Sequence, residues 1–158
     1  MIRLALSWLL LWLPCALPAA AEKNAELAVV VSSRDAPRTL DLELLARIYR
    51  RKTLYWPDGR KIEPVNLPAS EPLRQLFSRR VLKMEPEELE AYWNQQYFQG
   101  VFPPFMLPSE EAVIRFVADT PGAVGYVSAC AIDARVTVLV YLRGDEASPH
   151  AANRACPH

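Results

Sequence analysis

Histidine is nearly missing from this chain, occurring only at His150 and His158. The stretches able to build a core hold none, so a Ser-His-Asp or Cys-His arrangement has no base within reach. Metal ligation is no better served. Cys156-Pro157-His158 is the only Cys/His grouping, and it sits in a polar tail. Glycine is scarce, at five residues, and no Gly-rich nucleotide loop is spelled anywhere. Neither sign of charge is in excess, with 18 Lys and Arg against 18 Asp and Glu. A nucleic-acid or anionic-membrane partner favours a basic face, which this balance does not supply. The expectation is a protein that is not an enzyme and needs no cofactor.

Long apolar runs are also few. The only one opens the chain, MIRLALSWLLLWLPCALPAAAEKN. Arg3 is a basic start, Leu4 to Leu17 is apolar, and Ala19-Ala20-Ala21 offers a small-residue cleavage site. That pattern predicts a secretory signal peptide over residues 1–21, and hence a periplasmic protein. Its apolar part is roughly 14 residues, short of the roughly 20 that span a bilayer. An uncleaved anchor is the other reading. Lipidation at Cys15 is disfavoured by Leu13-Pro14, which lack the usual small side chains. Without Arg3, the 18 basic residues become 17 against 18 acidic ones. Cys130 and Cys156 remain after cleavage. In an exported compartment they form either a disulfide or two free thiols, and spacing alone leaves both open.

The rest alternates between strand and helix patterns, which means an α/β domain, here over residues 22–143. Leu27 to Val31 reads as a buried strand ending at Ser32-Ser33. Leu40 to Arg50 reads as a helix with acids in its first turn. Lys61 to Asn66 is a second strand, and a helix is expected from Ser70 to Leu82. Pro86 starts a third helix at its favoured first position, with Leu89, Tyr92, Trp93 and Tyr97 on its apolar face. The acidic run of Glu85, Glu87, Glu88 and Glu90 is a solvated helix start. Ser109 caps a fourth helix. Ala123 to Val127 and Arg135 to Leu142 are strands, and residues 144–158 form a polar, mobile tail.

Three segments, RIYRRKTLYWPDGRKIEPVNLP, LRQLFSRRVLKMEPEELEAYWNQQYFQG and TPGAVGYV, together resemble the phosphate-type substrate-binding proteins of ABC transporters. These belong to the type II periplasmic binding protein class. The resemblance runs from about Val29 to Val127. It implies a single lobe of that class, a mixed sheet flanked by helices, where the full proteins have two lobes and about twice the length. It also implies a bound solute, small and polar or anionic. Trp56 and Trp93 fall in matching segments, either as core or as ligand contacts.

The family's phosphate loop carries an Arg and a Ser-Gly-Thr turn at a helix start. This chain has Ser70-Glu71-Pro72 there, with Asn66 or Leu67 in place of the Arg. Glu71 repels an anion and Pro72 removes an N–H donor. The ligand-side residues expected from strand ends and this helix start are Ser32, Ser33, Asn66, Ser70, Glu71 and Arg74. Ser70 either caps the helix or faces a ligand. Arg74 either pairs with Glu71 one turn away or reaches an anion. The competing reading is an envelope protein–protein module, or a lobe that self-associates as a homodimer.

Overall fold

The computed structural model describes residues 26–35, 39–143 and 146–148. The signal peptide, most of the tail, Cys156 and both histidines lie outside the described residues, so the Cys130–Cys156 pairing does too. Among the described residues, no helix is long and apolar enough to cross a membrane.

Six strands form one mixed sheet: β1 (Glu26–Ser32), β2 (Glu63–Asn66), β3 (Phe105–Met106), β4 (Ala123–Ser128), β5 (Val136–Arg143) and β6 (Glu146–Ser148). Their order is β3-β2-β4-β1-β5-β6. β2 runs parallel to β3 and β4, whereas β1 is antiparallel to β4 and β5. β6 turns back along β5 and extends the sheet past residue 143, where the sequence pattern ended the domain. β1 sits between two neighbours and is buried from Leu27 to Val31, as its unbroken apolar run requires.

The helices are α1 (Leu42–Tyr49), α2 (Pro72–Phe77), α3 (Pro86–Tyr97) and α4 (Glu110–Asp119). Local chemistry explains most of their starts. Asp41 accepts from Leu44 N at 2.7 Å, and Ser109 Oγ from Ala112 N at 3.2 Å; each serves an amide with no partner inside its helix. Glu88 Oε2 accepts from Glu85 N at 2.9 Å ahead of Pro86.

Alternation along β4 assigns the helices to faces. Gly125 faces α4: a Cβ there would lie 2.5 Å from Val113 Cγ1 and 3.1 Å from Val117 Cγ2. Its neighbour Tyr126 faces the other way, into α1 and α2. There its ring stacks on Phe77 with centroids 4.2 Å apart, and Phe77 lies 4.5 Å from Tyr49. Such ring pairs add about 0.5–1.5 kcal/mol each beyond the area they bury.

Two expectations are corrected. The helix from Ser70 to Leu82 is not uniform. Its α-helical part is Pro72–Phe77, and Ser78–Leu82 winds as a π-helical turn that ends at Lys83, with φ 55°. The apolar face of α3 is only partly inward. Leu89 alone of that helix is buried, and Tyr97 is 62% exposed. The rings beside the last turn of α3 are Phe98 and Phe102, which are themselves exposed.

Candidate functional site

The six residues expected at a ligand surface divide into three groups. Ser32 and Ser33 end β1. Because β1 is antiparallel to β4, they lie at the end of the sheet where β2 and β4 begin, away from Asn66. Ser32 is buried, donating to Ala118 O at 3.2 Å and accepting from Arg34 N at 3.3 Å. Ser33 is exposed.

Ser70 and Glu71 form the second group, and both are exposed. Ser70 does not cap the helix. The cap position belongs to Glu71, whose side chain makes no capping bond, and Pro72 follows at the first helical position. A turn bond from Glu71 N to Pro68 O at 3.0 Å closes the entry. This mouth presents a carboxylate and a proline where an anion needs amide donors.

Asn66 and Arg74 form the third group, and here the structure does join predicted residues. The Arg74 guanidinium points inward, not toward Glu71, and donates to Asn66 Oδ1. Tyr126 Oη donates to the same oxygen at 3.3 Å and accepts from Leu67 N at 3.3 Å. Tyr49 Oη lies nearby, 3.0 Å from Val65 O and 3.3 Å from Val124 O. Arg74, Asn66 and both tyrosines are buried. Arg74 thus holds its charge out of water against a carboxamide and two phenols. No sequence signal marks Tyr49 or Tyr126 as members of this network, because each reads as a core aromatic.

Burial pushes the Tyr49 phenol well above its ordinary value, and the neighbouring Tyr126 adds to this while Arg74 opposes it. Tyr126 is raised chiefly by burial, against the lowering effect of Arg74. A raised phenol keeps its proton in the fold after losing it in the unfolded chain. Its stabilising contribution is therefore whole below the unfolded value of 10.0 and is lost as pH rises through the folded value. Denaturant unfolding from about pH 10 to pH 11.5 is expected to show stability falling as pH rises, by at most about 1.4 kcal/mol per pH unit for each of the two tyrosines. A flat profile over that range would contradict the burial of these phenols.

Beside the network, α2, the π-helical turn and α3 border a partly open cavity of about 370 Å³. Met84, Leu89 and Trp93 give it apolar walls, and Arg74, Gln75 and Glu90 bring polar groups to it. Trp93 Nε1 is buried there without a hydrogen-bond partner. The other tryptophan of the domain, Trp56, is a core residue, donating to Gly122 O at 2.9 Å.

A mixed sheet with helices on both faces, ending its parallel strands at a helix start, is an α/β architecture also found in solved substrate-binding proteins. Solved structures of this kind superpose on the chain. An ABC-type phosphate transport receptor from Vibrio cholerae matches with a TM-score of 0.59 and 20% identity over 75% of this chain. A phosphate ABC transporter substrate-binding protein from Clostridium perfringens, solved with bound phosphate, matches with a TM-score of 0.60 and 19% identity over 75%. PstS from Borrelia burgdorferi gives 0.56 and 18% over 73%. The matched region covers 46%, 45% and 47% of those chains, so this chain spans less than half of each. The matched part of the chain therefore has the fold of the corresponding part of these binding proteins. No family model and no curated protein matches it.

Proposed function

We propose that the chain is an exported, non-enzymatic binding module that works as a self-associated pair of lobes rather than as a carrier holding phosphate at its helix mouth. One observation carries this reading. Tyr97, Phe98, Phe102, Phe105 and Met106 lie within ten positions of one another, each is between 58% and 88% exposed, and no charged residue occurs from Ala91 to Ser109. Tyr97 meets Phe98 and Phe102 edge to face, with centroids 6.2 Å and 5.5 Å apart. Isolated exposed aromatics are ordinary, but a run of them with no charged residue between, and with Arg51 and Glu63 only at its side near Phe105, has the composition of an interface centre.

The cluster includes β3, the edge strand of the sheet. An open edge can pair with the same edge of a second copy about a two-fold axis, which brings the same aromatics together from both sides. Two copies would place a second lobe opposite the first and create a cleft between them. The alternative of phosphate bound at the Ser70-Glu71-Pro72 mouth has little support, since α2 starts there with a proline and an acid.

Sedimentation of the exported chain over a concentration series tests the proposal. The expected mass rises from that of one chain to that of two. Phe98→Asp or Phe102→Asp is expected to weaken association by roughly 30-fold each, the scale of a central interface aromatic. A mass that stays at one chain up to several hundred micromolar, by order of magnitude the top of a transient dimer's range, would defeat it.

A further inference from the structure

We propose that the cavity between α2, the π-helical turn and α3 is a binding site for a small organic carboxylate with a flat apolar body. The site does not depend on association of two copies, because every residue lining it comes from one chain. Its size suits a small molecule. At about 30 Å³ per water-sized unit, 370 Å³ holds about a dozen non-hydrogen atoms.

The lining defines the chemistry. Trp93, Leu89 and Met84 offer a flat ring and flexible apolar surface, which suit an aromatic body. Arg74 brings a buried guanidinium that is held by Asn66 Oδ1 beside Tyr126, and its five N–H donors exceed what those partners use, which suits a carboxylate. The buried Trp93 N–H has no acceptor among the described residues. The Trp93 side chain forms part of the cavity wall, so its indole resonance reports occupancy of the space beside it. The backbone at this place is a π-helical turn, Ser78–Leu82, a winding that recurs at functional sites. Ser78 Oγ is already committed, donating to Arg74 O at 2.9 Å, and it stiffens the turn that carries Arg74. The lining carries Arg74, Arg79 and Glu90, a net of one positive charge, which matches a monocarboxylate better than doubly charged inorganic phosphate.

The test is titration of the exported chain with 2-naphthoate, followed by the two indole N–H resonances of Trp56 and Trp93. The expected result is a saturating shift of the Trp93 signal with the Trp56 signal unmoved, at a concentration at least tenfold below that at which 2-naphthalenemethanol or inorganic phosphate acts. Ala69→Phe, which fills the cavity from an exposed turn residue, is expected to abolish the shift while leaving the Trp56 signal in place. This variant keeps every partner of Arg74, so loss of binding is not confused with loss of fold. No movement of the Trp93 signal up to about 10 mM naphthoate, ten times the dissociation constant of a millimolar ligand, would overturn the proposal. Equal response to the uncharged alcohol, or to phosphate, would overturn it as well.

Discussion

Asn66→Leu is expected to destabilise the protein by about 3 kcal/mol or more, although leucine has the same branched arrangement of side-chain heavy atoms. The reason is the charge left behind. Arg74 donates to Asn66 Oδ1 in a buried place, and Tyr126 donates to the same atom. Leucine removes the acceptor for both, and a buried guanidinium without its acceptor costs far more than a lost neutral hydrogen bond. The double variant Asn66→Leu with Arg74→Met removes charge and acceptor together. It is expected to recover at least half the loss, since apolar groups of similar shape replace a buried polar pair at small net cost. Denaturant unfolding of the two single variants and the double variant forms a complete cycle. If Asn66→Leu costs under about 1 kcal/mol, Arg74 is better solvated than its position indicates.

Gly122→Ala is the second large effect, at about 3 kcal/mol, or a fall in Tm of roughly 10 °C for a domain of this size. Gly122 has φ +81°, and a Cβ there would lie 2.2 Å from Lys61 O, a backbone atom that cannot swing aside. The left-handed conformation itself costs about 1–2 kcal/mol for alanine, and the clash adds to it. The residue also joins three elements. Its carbonyl accepts from Trp56 Nε1 at 2.9 Å and from Glu63 N at 3.2 Å, where β2 begins beside β4. Thermal unfolding followed by near-ultraviolet circular dichroism checks it, because displaced Trp56 would alter that spectrum. A Tm within about 3 °C of the parent, below 1 kcal/mol on this scale, would show that the loop before β4 yields easily.

Much of the frame was legible from local rules. Asp41, Pro86 and Ser109 stand at helix starts as their chemistry requires, since a cap serves amides two or three residues away and needs no tertiary partner. β1 and β4 were visible as short, unbroken apolar runs, and both are buried. α4 stops at Thr120 ahead of Pro121 and Gly122, residue types that end a helix by local chemistry. Such features depend on a few neighbouring residues, so composition and spacing suffice to find them.

The candidate site was only partly legible. Asn66 and Arg74 were expected to share a surface, and they do meet, but as a buried pair. Arg74 has a long side chain for which Glu71, one turn away, and Asn66 are both partners by spacing, and in the structure it donates to Asn66 beside the stacked rings of Phe77 and Tyr126. Ser32 and Ser33 lie at the far end of the sheet because β1 runs antiparallel to β4. A buried strand has the same apolar pattern in either direction, so its sequence carries no sign of its orientation.

By itself, then, the sequence determined where helices begin, which segments are buried, and the α/β class with its likeness to substrate-binding proteins. Tertiary structure alone decided strand direction, the inward turn of Arg74, the exposure of Tyr97 to Met106 and the cavity beside Trp93. The physical difference is one of range. Caps and periodicity act over three or four residues. Direction, charge burial and cavities depend on which distant segments meet, as Asn66 and Tyr126 do across 60 positions.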